Sequence, residues 1–183
     1  MREPMSIHEI VLPITKPETE WILGRAVRKV SPFRTHALLQ GALCEALRQW
    51  ARGRGDVGTE WRFRIAPPGE VRRPLVPDIS YVSYPRLRDL EGYDLELPPF
   101  APDVAVEILS PGWRRHHLEH KIGVYLAGGS QLVIVVDPAA REARLHDAAG
   151  ERIVRGDDSI VHPALPGFSL ALPLLFSVLD RPR

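Results

Sequence analysis

Residues 101–111 read APDVAVEILSP, and this stretch predicts a strand from the interior of a sheet. The segment from Asp103 to Leu109 is almost continuously apolar, which is typical of a strand covered on both faces. Only Glu107 interrupts the run. A buried, ionised carboxylate is costly unless it is paired or binds a cation, so Glu107 has either a functional role or a structural ion pair.

A second acidic residue, Asp78, follows Pro77 in the segment Val76 to Ser83, which we predict to be another strand. If the two strands are neighbours, Asp78 and Glu107 face one cleft. Mg²⁺ typically binds one or two carboxylates together with waters and phosphate oxygens, and such an ion can activate a water for phosphodiester hydrolysis. The alternative is that Asp78 only caps the turn after Pro77.

The residues after the first stretch predict a helix from Trp113 to Ala127, which begins after Ser110-Pro111 and ends at Gly128-Gly129. Lys121 lies on this helix beside its apolar stripe, one turn beyond His117. There its ammonium could orient the attacking water or neutralise developing charge. By itself, Lys121 would be interpreted as a solvated helix residue.

Basic side chains cluster at the start of this helix: Arg114, Arg115, His116, His117 and His120. The cluster is either a clamp for the phosphate backbone of a nucleic acid or a solvated helix end. The sequence does not favour a histidine metal site here, because no Cys or second His group is placed to complete it.

The remaining patterns predict one α/β domain, residues 18–183, with a mixed sheet flanked by helices and a leader at residues 1–17. Thr59 to Ala66 alternates, with Trp61, Phe63 and Ile65 on one face and Glu60, Arg62 and Arg64 on the other. The other predicted elements are a hairpin within Glu20–Val30, a helix that begins at Ser31-Pro32 and ends at the Gly53 and Gly55 pair, a loop at Pro85–Phe100 with room for one helical turn, a strand at Gln131–Val136, a hairpin of Glu142–His146 with Arg152–Val154, and an apolar tail, Pro166–Leu175, docked on the sheet.

Composition predicts a globular cytoplasmic protein: 183 residues, 44% hydrophobic, with no apolar run of about 20 residues and no signal-peptide pattern. The only cysteine, Cys44, lies among helical residues and is expected to be buried and inert. The net charge of +1 neither demands nor excludes a polyanionic partner.

Several of these motifs, in this order and spacing, resemble the Uma-two (Uma2) family, bacterial restriction endonucleases of the PD-(D/E)xK nuclease superfamily. The matching residues are Val76-Pro77-Asp78, the stretch 101–111, Lys121, residues 125–129, Glu20 to Gly24, His36, residues 135–138 and residues 165–170. The resemblance therefore covers nearly the whole chain from about residue 18.

The resemblance implies a restriction-endonuclease-like core and a metal-dependent DNA endonuclease that uses Mg²⁺ or Mn²⁺. Asp78 and Glu107 would bind the metal together with the backbone carbonyl of Ile108, and Lys121 would complete the catalytic set. Other family positions imply accessory roles for Glu20 and His36. A homodimer would suit an enzyme that cuts two strands.

Two positions depart from the wider pattern. Leu109 occupies the lysine position of the superfamily's Glu-x-Lys motif. The resemblance implies that this family shares the departure, and that a helix lysine, here Lys121, fills the role of the missing one. His117 stands where the family often has Asp, and we expect this change to weaken the site's charge or the positioning of Lys121. The presence of His117 at this position favours the alternative of a catalytically inactive nuclease-fold module that binds nucleic acid or protein. Hydrolysis of another phosphate ester is a third possibility.

Overall fold

The structure, a computed structural model, describes residues 9–30 and 32–180. Its helices are α1 (Arg34–Trp50), α2 (Tyr84–Leu87), α3 (Gly92–Glu96), α4 (Arg115–Ala127) and α5 (Leu172–Ser177). Its strands are β1 (Thr19–Ile22), β2 (Arg25–Arg28), β3 (Gly55–Thr59), β4 (Phe63–Ile65), β5 (Arg73–Leu75), β6 (Ile79–Ser83), β7 (Val104–Ile108), β8 (Leu132–Asp137), β9 (Glu142–Asp147), β10 (Gly150–Val154), β11 (Ser159–Ile160) and β12 (Leu170–Ala171).

Six strands form one mixed sheet in the order β10-β9-β8-β7-β6-β3. Strand β7 pairs in parallel with β8 and antiparallel with β6, and all five of its residues are buried. Helix α4 makes the crossover that two parallel neighbours require. The predicted α/β class and the interior position of the 101–111 strand are confirmed.

Side chains of β7 alternate between two hydrophobic cores, one on each face of the sheet. Val104, Val106 and Ile108 enter the core formed with α1 and α5, whereas Ala105 enters the core formed with α4 and β4. The alternation therefore directs Glu107 towards α4.

The end of helix α4 packs closely against β4. A Cβ atom at Gly128, directly after the helix, would lie 2.4 Å from Cγ2 of Ile65. Gly129 follows with a φ of 102°, a conformation that suits glycine. The predicted helix end at Gly128-Gly129 is confirmed.

The prediction of a single strand from Thr59 to Ala66 is wrong. Strand β3 ends at Thr59, Glu60 turns the chain with a φ of 53°, and β4 pairs with β5 in a separate two-stranded sheet. Because the chain leaves the main sheet at Glu60, one alternating pattern covers two different elements.

Arg62 and Arg64 are buried, although the alternation predicted exposed side chains. Arg62 pairs with Glu18 and donates a 2.9 Å hydrogen bond to the carbonyl of Leu12, and Arg64 pairs with Glu9 at 3.1 Å. The planar guanidinium tolerates burial here because most of its donors are paired, although Nε of Arg62 is buried without a hydrogen-bond acceptor. The predicted leader boundary at residue 18 stays a prediction.

Other predictions differ in detail. The segment Pro85–Phe100, predicted as a loop with room for one helical turn, contains the end of α2 and all of α3, and β6 begins after Asp78, at Ile79. The predicted helix start at Ser31 lies outside the described residues, and α1 begins at Arg34. The two hairpins are present as β1-β2 and β9-β10, and the apolar tail packs into the α1 core. Cys44 is buried.

Within the described ranges, no helix combines the length and the apolar character that a membrane crossing needs.

Candidate active site

The Asp78 carboxylate is attached to β7 through backbone hydrogen bonds. Asp78 donates its own N–H to the carbonyl of Val106 at 2.9 Å, which extends the β6–β7 pairing by one residue. Its Oδ2 atom accepts the N–H of Ile108 at 2.7 Å. The side chain is thereby fixed beside the strand position that follows Glu107.

Two further side chains contact Asp78. Lys29 Nζ lies 2.7 Å from Oδ1, and His36 Nε2 lies 3.0 Å from Oδ2. Burial opposes the charged carboxylate, but Lys29 and His36 hold the pKa of Asp78 well below its ordinary value. Asp78 is therefore a fully ionised, fully paired carboxylate, and the predicted accessory residue His36 lies at the site.

Sequence reasoning missed Lys29, which directly follows β2. Its Nζ atom also donates to the carbonyl of Val76 at 3.0 Å and lies 3.4 Å from Oε1 of Glu60. Burial disfavours its charge, but Asp78 and the other nearby carboxylates raise the pKa of Lys29 above its ordinary value. The available signal was lysine scarcity: the 24 basic residues include only three lysines, and the structure buries two of them here.

Glu107 and Lys121 form the second half of the site. Lys121 Nζ lies 2.7 Å from Oε1 of Glu107 and 2.8 Å from Oε1 of Glu20, and all three side chains are buried. The Tyr125 hydroxyl donates a 2.9 Å hydrogen bond to the same oxygen of Glu107. Lys121 and Tyr125 lie one turn apart on α4 and therefore face the same carboxylate.

The two carboxylates of the site differ electrostatically. Burial raises the pKa of Glu107 to about 7, against the opposing effect of Lys121. Burial also disfavours the Lys121 ammonium, but Glu107 and Glu20 raise its pKa above the ordinary value. The two effects differ in direction: the neighbouring carboxylates favour the charged form of Lys121, whereas burial favours the neutral form of Glu107.

Glu20 links the β1-β2 hairpin to the site. Besides Lys121, its Oε1 atom accepts the N–H of Val76 at 2.8 Å. One buried oxygen thus holds both the catalytic lysine candidate and the segment that leads to Asp78. The structure gives Glu20 contacts that suit a positioning role.

His117 lines the same cleft as Lys121, and within the described residues no hydrogen bond joins the two side chains. Its Nε2 atom lies 3.3 Å from Nη2 of Arg25, at the mouth of the site. Burial, with the nearby His116 and Arg25, lowers the pKa of His117. The Lys121 ammonium is held by Glu20 and Glu107, and the expected weakening of the site by His117 stays a prediction.

A cleft of about 600 Å³ opens over these residues. Its exposed lining is basic, with Arg25, Arg28 and Arg114, and includes Trp113, whose side chain is 44% exposed. Arg115 is not part of the lining and instead pairs with Glu119 at 2.7 Å on the surface. Of the two predicted phosphate-binding arginines, only Arg114 faces the cleft.

The donor chemistry of Asp78 and Glu107 fits a hard divalent cation. Two carboxylates from neighbouring strands are the usual protein contribution to a Mg²⁺ site, and substrate and water oxygens complete it. In residues 9–30 and 32–180, no group of three or more His, Cys, Asp or Glu side chains is arranged to hold a metal. A zinc-type site with three protein ligands does not fit these residues.

Comparison with known proteins places the chain among nuclease relatives. Residues 11–173 match the Uma2 family, described as "putative restriction endonuclease". A crystal structure described as a putative nuclease of DUF820 from Anabaena variabilis superposes with a TM-score of 0.80 at 24% identity, covering 92% of this chain and 95% of that one. A search of curated proteins found no match.

Proposed function

The chain belongs to the Uma2 family of restriction endonucleases, and from this membership we propose that it is an endonuclease that hydrolyses DNA phosphodiester bonds with Mg²⁺ or Mn²⁺. One observation carries the proposal. Asp78 and Glu107 lie buried at the end of adjacent strands, with Lys121 Nζ 2.7 Å from Glu107 Oε1 and a basic cleft above them.

Asp78 and Glu107 would hold the cation, and the backbone carbonyl of Ile108 would be a further ligand. The cation, when bound, supplies an activated water and stabilises negative charge on the phosphate. The Ile108 N–H keeps Asp78 oriented throughout, since its hydrogen bond is made by the backbone of β7.

Lys121 provides a permanent positive charge at the same place. Because Glu107 and Glu20 keep it protonated, Lys121 is suited to orient the attacking water or to neutralise charge on the phosphate, and not to act as a base. Tyr125 restrains the Glu107 carboxylate from the next turn of α4.

The cleft lining favours a polyanionic substrate. Arg25, Arg28 and Arg114 are exposed around the opening and can contact phosphate groups without reading base sequence. The exposed Trp113 offers an apolar surface beside them.

A plasmid assay tests the proposal. Supercoiled DNA is incubated with the protein and Mg²⁺ or Mn²⁺, beside Glu107→Gln and a matched control, Asp103→Asn. Asp103 is equally buried but precedes the opposite end of β7, where it accepts the N–H of Ser83 at 2.7 Å. We expect nicking by the wild type and by Asp103→Asn but none by Glu107→Gln. Nicking that persists in Glu107→Gln would refute the site.

The second candidate function is a catalytically inactive module that binds nucleic acid. The ion pair between Lys29 and Asp78 favours it, because a buried ammonium can take the place of a metal. Under this alternative, DNA binding in a gel-shift assay is retained and neither metal supports nicking.

A further inference from the structure

We propose that Lys29 is a displaceable counter-cation of the metal site: it neutralises Asp78 in the metal-free protein, and a divalent cation drives its ammonium off the carboxylate into the cleft. The inference rests on the proposed metal-binding role of Asp78. It assigns to Lys29 the control of metal affinity, a role distinct from that of Lys121.

Of the two carboxylate oxygens of Asp78, Oδ1 is the one that could exchange its present partner for a metal ion. Oδ2 already accepts the Ile108 N–H at 2.7 Å and lies 3.0 Å from His36 Nε2, whereas Lys29 is the partner of Oδ1 at 2.7 Å. The backbone N–H cannot leave while β7 keeps its pairing. A cation that binds Asp78 at Oδ1 would meet the Lys29 ammonium, and two cations on one oxygen repel each other strongly at low dielectric.

The charge balance of the site also predicts that one lysine ammonium leaves when the metal ion binds. With the His36 imidazole neutral and Glu107 ionised, as a metal ligand must be, the buried carboxylates of Asp78, Glu107 and Glu20 exceed the ammonium groups of Lys29 and Lys121 by one negative charge. A divalent ion added to this set leaves one excess positive charge, and departure of one ammonium restores neutrality. Burial makes an uncompensated charge costly, so metal binding and loss of one lysine are expected to be linked.

Lys29 is the lysine that can leave. Both lysines line the cleft, but Lys121 is held between two buried carboxylates, whereas Lys29 pairs with one buried carboxylate and has a second acidic partner towards the solvent. That partner is Glu60, 3.4 Å from Nζ, with 43% of its side chain exposed. After displacement the ammonium, which already lines the cleft, would move towards Glu60 and the solvent.

Lysine labelling of the unmodified protein tests the displacement directly. Acetylation by an N-hydroxysuccinimide ester is followed by mass spectrometry over a Mg²⁺ titration, and the chain has only Lys16, Lys29 and Lys121 to report. Lys16 is exposed and serves as the internal reference. We expect acetylation of Lys29 to rise at least fivefold with Mg²⁺ while Lys121 stays protected. Unchanged Lys29 labelling at Mg²⁺ concentrations that saturate binding by calorimetry would overturn the inference.

Measurements of metal affinity test whether Lys29 competes with the cation for Asp78. Calorimetry with Mn²⁺ compares the wild type with Lys29→Met, which removes the charge, and Lys29→Arg, which keeps it. Lys16→Met is the matched control at an exposed lysine. We expect the Mn²⁺ dissociation constant to fall at least tenfold in Lys29→Met alone. Equal or weaker binding by Lys29→Met contradicts the inference, and the labelling experiment decides if that variant does not fold.

The inference and the proposed function fail in different ways. Mn²⁺ binding that is absent from both wild type and Lys29→Met refutes the metal site and the inference together. Metal binding and nicking that are lost in Glu107→Gln, with no effect of Lys29→Met on affinity, leave the proposed function standing and remove only the role of Lys29.

Discussion

The Oδ2 atom of Asp78 accepts a 2.7 Å hydrogen bond from the backbone N–H of Ile108. Ile108 directly follows Glu107, so the pairing of two strands fixes the two candidate ligands relative to each other. The register supports this, because Ile79 pairs with Val106 and Asp78 donates to the same residue. The site is therefore pre-formed by backbone geometry.

The two carboxylates should contribute differently to stability. Asp78→Asn removes the carboxylate charge that pairs with Lys29, although the ammonium keeps Glu60 as a partner, and we expect the free energy of unfolding at pH 7 to fall by about 1.5–3 kcal/mol. Glu107→Gln should cost less than about 1 kcal/mol, because burial already raises the pKa of Glu107 to about 7 and favours the neutral form. Urea unfolding followed by circular dichroism measures both. Equal losses would show that Glu107 is as strictly ionised as Asp78.

Glu20 should position Lys121 without binding the metal. We expect Glu20→Gln to slow nicking about 10–100-fold, as is usual for partners that orient catalytic groups, and to leave the Mn²⁺ dissociation constant unchanged. Its oxygen contacts Lys121 and the Val76 N–H, which supports this division. A loss of Mn²⁺ affinity as large as that of Glu107→Gln would instead make Glu20 a ligand.

Arg114 and Arg115 should differ in DNA binding although they are adjacent. Arg114→Ala removes a cation from the cleft lining, so we expect weaker binding and a decrease of about 1 in the slope of log affinity against log salt concentration. Arg115→Ala, the matched control, removes a residue paired with Glu119 outside the lining and should change neither quantity. Fluorescence anisotropy with a short labelled duplex measures both variants. Identical effects would place DNA outside this cleft.

Acid stability should depend on Glu142, away from the catalytic candidates. The hydrogen bond from Arg155, opposed by burial and reinforced by Arg144, lowers the pKa of Glu142 below its ordinary value of 4.5. A lowered folded-state pKa stabilises the fold above the unfolded-state value, and this stability is lost as pH falls through the folded-state value.

Glu142→Gln should therefore lower the free energy of unfolding by about 1 kcal/mol at pH 7, a modest amount because Arg155 is mostly exposed. The difference from the wild type should shrink between pH 6 and pH 3 in urea unfolding curves. A difference that is constant over this range would mean that Glu142 contributes through packing and not through charge.

The amino-acid sequence determined the parts of the fold that depend on local pattern. Continuous apolarity around Glu107 predicted the interior strand, and the paired glycines after Ala127 predicted the end of α4. Glu107 could be selected beforehand, because a charge within an apolar pattern needs a partner wherever the chain folds. Asp78 was open between a ligand and a turn cap, and Lys121 was selected through the resemblance to the family.

Only the tertiary structure decided which partner each charge has. Lys29 and Glu20 come from the β1-β2 hairpin, far from Asp78 and Lys121 along the chain, and they meet because that hairpin packs over the end of β7. Burial of Arg62 was equally invisible, since its hydrogen-bond acceptors belong to the segment before β1. Hydrophobic periodicity reports the face of an element that is covered, whereas an ion pair depends on distances between elements, which no local pattern contains.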